Sequence, residues 1–548
     1  MSDNTSSANR IEEQLTSPTV SLILAFATIG AIIYLGFLLQ PAFRGDPLPY
    51  TLAIIAELII ISQGLLSFWT ILSARHNARS FEYHEAQDKL YNVNLGKSAI
   101  KTLKKRDPAQ ARAVPMFLHY KPIQVAIFIP VYGEPQAEVM ATARAARDVY
   151  GLHQTYILDD GKSDEIELMA AQLGVDYIRR PQNNNAKAGN INYALSQTES
   201  DFFLILDADF VAEPTILYET IPFFENSKMA FVQTPQYYDN QRNFVSTAAS
   251  FMQHVFYSLI QSGKNSFNAA FCVGTNVVFR RSAIDAIGGM YSRSKSEDIW
   301  TSLMLHEKGY ASIYIPTVLA VGKAPETLKA YSKQQLRWAT GSFEIFLHHN
   351  PLFARKLTVD QRIQYLTTTS YYFVGFSVML LLLLPPLQIF FNLSPIAVSI
   401  PFWQWLLMYS GFYVIQMVLA FYTMGGLKIK TLMLANASFP IYIKAFFNAL
   451  RRKDLDWSAT NAKTYDSPFN YVRIQVYVFL FLLLTSFVGT WKSLYLHVFS
   501  VALAWNLLNT LVFGYFTFAA MKEGHVLRKE RKKEPSRSLK MQRSQNVV

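Results

Sequence analysis

The chain has 548 residues, too many for one ordinary domain, and its 51% hydrophobic and 16% charged residues set it in the membrane or mixed class. A net charge of +12 in such a chain marks cytoplasmic loops rather than a nucleic-acid surface. One cysteine, Cys272, excludes an intramolecular disulfide framework and a thiolate metal site.

Residues 1–18 are polar and expected to be disordered. No cleavable signal is expected, because the first apolar run is too long for one. That run, Val20–Leu39, is uncharged and long enough to cross a hydrocarbon core of about 30 Å. A Pro/Gly-rich stretch, Gln40 to Pro49, turns the chain into a second span, Thr51–Leu72. Glu57 in that span is expensive in lipid and is expected to face protein or water.

Residues 74–364 hold no comparable span. Short apolar runs (Val125–Pro130, Thr155–Leu158, Phe202–Leu206, Met229–Val232) alternate with helix-like segments such as Ala137–Asp148 and Asp164–Leu173. This alternation predicts a mainly parallel sheet flanked by helices, with ligands outside the carboxyl ends of the strands. Four more spans are expected at about 366–391, 402–424, 474–491 and 494–520. Between them, Asn436–Lys453 mixes Phe and Ile with Lys and Arg, as a helix on a membrane surface would. The tail, Lys522–Val548, carries nine Lys and Arg and is expected to be disordered against anionic headgroups. The layout divides into 1–19, spans within 20–73, a domain over 74–364, spans within 365–425, an interfacial segment 426–472, spans within 473–520, and the tail 521–548. The outer loops 40–49, 392–401 and 492–493 hold only Arg44 and Lys492. The positive-inside rule therefore places the large domain and both termini in the cytoplasm.

The candidate chemistry lies at strand ends. Phe202–Leu206 breaks into Asp207-Ala208-Asp209, two carboxylates that need a partner, for which a divalent cation shared with phosphates is suited. Alone, a D-x-D is more often a turn or cap. Phe128-Ile-Pro-Val-Tyr-Gly-Glu134 and Tyr156-Ile-Leu-Asp-Asp-Gly161 are further strand exits exposing carboxylates. Lys187 sits beside a small-residue turn in Asn184-Asn-Ala-Lys-Ala-Gly-Asn190 and has the compact charge that suits a diphosphate; a surface lysine is the plainer reading. Phe271-Cys-Val-Gly-Thr-Asn276 precedes another strand. Ser296-Glu-Asp-Ile-Trp300 opens a helix with Ser296 as its cap, and Asp298 is either a first-turn acid or a general base. Gln334-Gln-Leu-Arg-Trp338 lies on an amphipathic segment before the third span, where Arg337 is read as a phosphate fork or Trp338 as an interfacial anchor.

Taken together, P-V-Y-G-E, D-D-G, K-A-G-N, D-A-D, T-P-Q (Thr234–Gln236), S-E-D and Q-Q-L-R-W occur in one order from Val125 to Trp338. This resembles the processive family 2 glycosyltransferases: cellulose synthase, with curdlan, hyaluronan and chitin synthases as relatives. The resemblance implies an α/β GT-A type domain inserted between transmembrane helices, two before it and four after. It implies polymerisation of a UDP-sugar, UDP-glucose first, into a β-linked glucan passed across the plasma membrane. Asp298 would be the catalytic base. Asp159 and Asp160 would hold the nucleoside, and Lys187, Asp207, Gln334 and Arg337 the diphosphate. Asp207 and Asp209 would bind Mg²⁺ or Mn²⁺. Cys272, Gly274, Thr275, Glu297 and Trp338 would meet the acceptor. Trp457-Ser-Ala-Thr-Asn-Ala-Lys463 is similar to the family's F-x-V-T-x-K gating loop, so Thr460 and Lys463 would reach the nucleotide when it closes.

The implied partners are the UDP-sugar, the growing polysaccharide, membrane lipid and accessory subunits or further copies, with no nucleic acid. The tail lacks the D-x-S-x-x-G of a PilZ domain, so direct control by cyclic di-GMP is not expected. Trp403, Trp405, Asn506 and Asn509 are candidates for a polymer path, with packing as their plainer role. A different glycan, a single-sugar transfer to a lipid carrier, and a transporter with a regulatory domain remain open alternatives.

Overall fold

The computed structural model describes residues 17–74, 78–91, 99–294, 296–397, 399–426, 428–452, 466–497 and 500–545. The polar leader 1–16 and the gating-like stretch with Thr460 and Lys463 lie outside these residues.

Two apolar helices open the fold, α1 (Pro18–Leu39) and α2 (Pro47–Leu72). The Ser17 side chain caps α1 by accepting from Thr19 N, and Pro47 starts α2 where a missing N–H leaves no bond unmade. Glu57 on α2 is buried and accepts hydrogen bonds from the hydroxyls of Tyr34 (3.1 Å) and Tyr413 (2.6 Å). Its carboxylate is thus satisfied inside the bundle, as expected of an acid at that depth.

The apolar runs then form strands. In chain order these are β1 (Val125–Val131), α3 (Gln136–Arg147), β2 (Gln154–Asp159), α4 (Asp164–Leu173), β3 (Asp176–Ile178) and α5 (Ala186–Gln197). There follow β4 (Phe202–Ile205), β5 (Met229–Gln233), α6 (Phe244–Val255), β6 (Val277–Arg280), α7 (Glu297–Glu307) and β7 (Ala311–Tyr314). The seven strands make one sheet in the order β7-β5-β6-β4-β1-β2-β3. Side chains alternate across it: Ile127 and Leu204 enter one core, Phe128 and Phe203 the other. Both faces are covered, which is why the strands read as continuous apolar runs. One strand departs from the expected parallel order. β6 runs antiparallel to both β4 and β5, while the other pairs are parallel. Val277–Phe279 is apolar in either direction, so its sequence carries no sign of strand polarity.

The chain continues through α8 (Leu328–His348), α9 (Val359–Ser370), α10 (Val374–Phe391), α11 (Phe402–Met424), α12 (Ile429–Ala437), α13 (Phe439–Leu450), α14 (Phe469–Leu496) and α15 (Val501–Gln545). Among the described residues, six helical stretches are long and apolar enough to cross a membrane. They are α1, α2, the run Val359–Phe391, α11, α14 and the Val501–Lys529 part of α15. Three boundaries differ from expectation. The third stretch reaches back to Val359 because one 3₁₀ turn, Tyr371–Phe373, joins α9 to α10. Helix α14 runs to Leu496 with His497 as its cap, so 492–493 is helix rather than a loop. Lys492 therefore sits on a helix, donating to Ile389 O (3.0 Å) and Asn392 Oδ1 (2.5 Å). The basic tail continues α15 as helix to Gln545 instead of being disordered; its Lys, Arg, Glu, Leu and Met are strong helix formers. Helix α13 does more than lie on a surface. Tyr442, Ala445 and Ala449 are buried as it packs on α8, with His348 Nε2 3.2 Å from Ala449 O, while Lys444, Phe447 and Leu450 stay exposed.

Helices α1 and α11 meet backbone to backbone: a Cβ added to Gly30 would lie 1.8 Å from Gly411 O. Gly30→Leu is expected to cost about 1–3 kcal/mol through overpacking and to lower the melting temperature of the detergent-purified protein. Gly36→Leu, whose Cβ meets nothing within 4 Å, is expected to leave it unchanged; equal melting of the two variants would contradict this crossing.

Candidate active site

In the sheet β1 lies between β2 and β4, so the loops after these three strands stand side by side. They present Glu134, Asp159-Asp160 and Asp207-Ala208-Asp209 at one edge, the place where open α/β sheets bind ligands. A cleft of ≈ 370 Å³ opens over that edge. Asp160, Lys187, Asp207 and Asp209 line its sheet side. Gly274, Glu297 and Asp298 line the opposite side, and Gln334, Arg337 and Trp338 reach it from α8. The structure thus gathers ten of the residues singled out from the sequence, drawn from motifs as distant as 160 and 338, into one cavity.

Each side chain is held by its element. Thr275 Oγ1 accepts from Asp207 N (2.8 Å), fixing the start of the D-A-D turn. Lys187 donates to Asp207 Oδ1 and to Gly274 O (2.6 Å), joining the α5 turn to the loop before β6. Gly274 has φ +84, and a Cβ there would lie 3.5 Å from Lys187 Nζ and 3.6 Å from Asp298 Oδ2. Asp298 begins α7 and accepts from Ile299 N at 2.8 Å. Helix α8 approaches this turn closely, because a Cβ on Gly341 would lie 1.9 Å from Ser296 Oγ. A side chain at 341 would push α8, and with it Arg337 and Trp338 one turn earlier, away from this turn.

The charges are unbalanced. Burial, then the neighbouring Asp207, Glu134 and Glu138, push Asp209 up to about 7. Burial, then Glu297, push Asp298 up to about 7 against the pull of Arg337 and Lys187. Burial opposes the charge of Lys187, but Asp207, Glu297 and Asp298 outweigh it and hold the ammonium above the ordinary lysine value.

Several assignments need correction. Asp159 does not line the cleft: its carboxylate accepts from Gly161 N, Ser163 N and Tyr177 Oη at 2.7–2.8 Å and closes its own turn. Cys272 and Thr275 are fully buried beneath the loop rather than facing an acceptor; burial raises the Cys272 thiol, whose Sγ donates to Asp298 O (3.1 Å). Ser296 makes no side-chain cap; its hydroxyl reaches Arg337 O at 3.4 Å. Asn506 keeps its plainer role and packs, donating to Leu482 O (2.9 Å) and Ser486 Oγ (2.8 Å), and Trp403 is exposed. Trp405 lines a separate ≈ 330 Å³ cavity within the helical bundle, beside Glu57. Asn509 Nδ2 is buried without a partner among the described residues.

Two contributors were not legible in the sequence. Arg180 Nε and Nη2 grip both oxygens of Asp160 (2.5 and 2.6 Å), and the same guanidinium donates to Asn184 O and Ala186 O. This buried fork ties the Asp160 turn to the Lys187 turn. Lys323, also on the cleft, pairs with Glu138 at 2.8 Å. Both lie in polar loops without a motif.

The chain matches two family models: glycosyltransferase-like family 2 over residues 122–341 and cellulose synthase over 284–434. Residues 122–341 are a glycosyltransferase-like family 2 domain. The resemblance carried by the motifs is thereby shown for these residues. The chain is 34% identical over 260 residues to the cellulose synthase catalytic subunit (UDP-forming) of Xanthomonas axonopodis pv. citri, covering 46% of this chain and 36% of that one. It is 35% identical over 284 residues to the cellulose synthase 1 catalytic subunit (UDP-forming) of Komagataeibacter xylinus, 50% of this chain and 38% of the relative. The chain therefore spans well under half the length of these relatives. Among solved structures, a mannosyltransferase of Pyrobaculum calidifontis in complex with GDP-Man and Mn²⁺ overlays with a TM-score of 0.45 at 14% identity, covering 74% of this chain and all of that one.

The glycosyltransferase domain has oxygen donors suited to a hard divalent cation. Asp207 and Asp209 face the cleft together with Glu134 and Glu138; burial, then Asp207 and these two glutamates, push Asp209 up to about 7. Among the described residues no three potential ligands cluster.

Arg180→Ala is expected to leave Asp160 buried and uncompensated, at a cost of about 3–5 kcal/mol in denaturant titration. Arg180→Lys should recover only part of this, since one ammonium cannot reproduce the fork; full recovery would show that charge alone matters at this turn.

Proposed function

We propose that this chain is an inverting, processive glycosyltransferase that extends a β-linked glucan from UDP-glucose, with the β-1,4 linkage of cellulose, and passes the product through its helical bundle. The observation that carries the reading is the meeting, in one cleft, of an acid on a helix N-terminus (Asp298) with the D-A-D carboxylates, Lys187 and the α8 trio Gln334, Arg337 and Trp338. The domain family and the UDP-forming relatives support it. The positive-inside rule supports a plasma-membrane protein with the catalytic domain and both termini in the cytoplasm.

In this reading Asp160 borders the nucleoside, and Lys187 and Arg337 face the diphosphate. Trp338, one of the aromatic side chains of the cleft, stacks on the acceptor sugar. Asp298 accepts the proton of the acceptor's terminal hydroxyl. The hydroxyl oxygen bonds to the anomeric carbon as the carbon–oxygen bond to the diphosphate breaks from the opposite face, and UDP departs with that electron pair. An α-linked donor thus gives a β-linked product without a covalent enzyme intermediate. Asp207 and Asp209 would hold Mg²⁺ or Mn²⁺, which when bound neutralises diphosphate oxygens. Positive charge placed where negative charge develops is a large share of such catalysis. The helices α8 and α13 set this cleft against the bundle, where a polymer would enter.

Asp298→Asn is expected to lower polymer synthesis by at least about 10²-fold with UDP-glucose still bound; normal yield would remove Asp298 from the chemistry. EDTA is expected to stop UDP release, and Mg²⁺ or Mn²⁺ to restore it; full activity in metal-free buffer would contradict the roles of Asp207 and Asp209. Because only the carboxylate of Asp298 accepts a proton, kcat/KM should fall as pH drops through about 7. Glu297→Gln removes a charge that raises Asp298, so this limb should move to lower pH; an unmoved limb would assign it to another group.

A further inference from the structure

A second cavity, ≈ 300 Å³, adjoins the donor cleft between the Pro235–Tyr238 loop, α6 with the turn after it, and the 314–318 loop. The two spaces share Gln236 and Tyr238. These side chains form a partition: Tyr238 Oη donates to Gln236 Oε1 at 2.8 Å, and Gln236 Nε2 donates to Val273 O at 3.3 Å.

The lining has a distinct chemistry. No Asp, Glu, Lys or Arg belongs to it; Lys428 lies over the Phe251 ring at 5.9 Å but does not line the space. Burial lowers His254, which keeps its imidazole neutral near pH 7. Flat faces come from Tyr257 and Tyr314, whose near-parallel rings lie 6.2 Å apart. Polar groups come from Gln241, Ser250, His254 and Ser258, and the Ser250 hydroxyl has no partner among the described residues. Tyr257 and Ser258 belong to a π-helical turn, Phe256–Gln261, a form frequent at functional sites.

This lining discriminates between ligands. A phosphate would find no cation there. An acyl chain would bury amides and hydroxyls without hydrogen bonds. A neutral sugar offers a face for the aromatic rings and hydroxyls for the amides, in a space of the size that holds small ligands, about 300–1,000 Å³. We infer that this cavity is a neutral-saccharide subsite behind the Gln236–Tyr238 partition of the donor cleft. The inference rests on the transferase reading only in taking the sugar to be one the enzyme handles.

The test is saturation-transfer NMR on the full chain in detergent with cellobiose as the probe, with UDP release from UDP-glucose followed in the same samples. Saturable cellobiose binding is expected, weakened at least ten-fold by Ser250→Phe, which fills the cavity, and by Val318→Trp, which narrows its rim. UDP release should stay within two-fold in both variants, and this also shows that they fold. Absence of saturable binding in wild type, binding that survives both substitutions, or displacement by phospholipid but not by unlabelled saccharide would overturn the site. Binding as expected without any UDP release would leave the subsite standing and sink the transferase reading instead.

Discussion

The glycosyltransferase domain is organised by a surplus of negative charge at the carboxyl ends of its strands. Glu134, Asp160, Asp207, Asp209 and Asp298 all border one cleft. The domain counters some of this internally. Arg180 neutralises Asp160 and Lys187 engages Asp207. Burial, and after it the charge left over, raises Asp209 and Asp298, and so the site is preorganised to receive compensating charge. Like charges held together cost folding free energy, and the sheet supplies the rigidity to keep them there.

The helices that border the cleft are also fastened to the long apolar helices. His306, on the helix begun by Asp298, is buried and pushed down to about 3; its imidazole bonds Tyr365 Oη (2.7 Å) on α9 and Ser312 Oγ (2.9 Å) on β7. Lys264 is fully buried, pushed down to about 7 by burial, and donates to Gln364 on α9; Gln364 in turn bonds Thr70 near the end of α2. Helix α8 stands between these joints, closed against Ser296 on one side and α13 on the other. A shift of the bundle would therefore be felt at Asp298 and Arg337. Buried hydrogen-bonded networks of this kind fix geometry, since breaking one leaves a polar group unsatisfied in a dry interior.

Much of this was written locally. The spans follow from uncharged apolar runs, and the strands from short apolar runs ending in acids, because burial and hydrogen bonding act on neighbours in the chain. The fork of Arg180 on Asp160, the reversed β6, the helical continuation of the tail and the demotion of Asp159, Cys272 and Thr275 were not legible. Each depends on a partner or surroundings brought by the fold: Tyr177 for Asp159, Ser302 and Asp298 for Cys272, β4 and β5 for β6. A motif reports which residue types occur together, not which of them turn inward.

The amino-acid order by itself determined the six long apolar stretches, the glycosyltransferase-like family 2 match of residues 122–341 and the acids available at its strand ends, since hydrophobic length and motif order are properties of the chain. Only the tertiary structure decided which acids share a cleft, which are tied up in their own turns, and where a second, uncharged cavity opens behind Gln236 and Tyr238. The reason is that electrostatic coupling and cavity shape act through space between segments far apart in the chain, and only the packed sheet and helices set those distances.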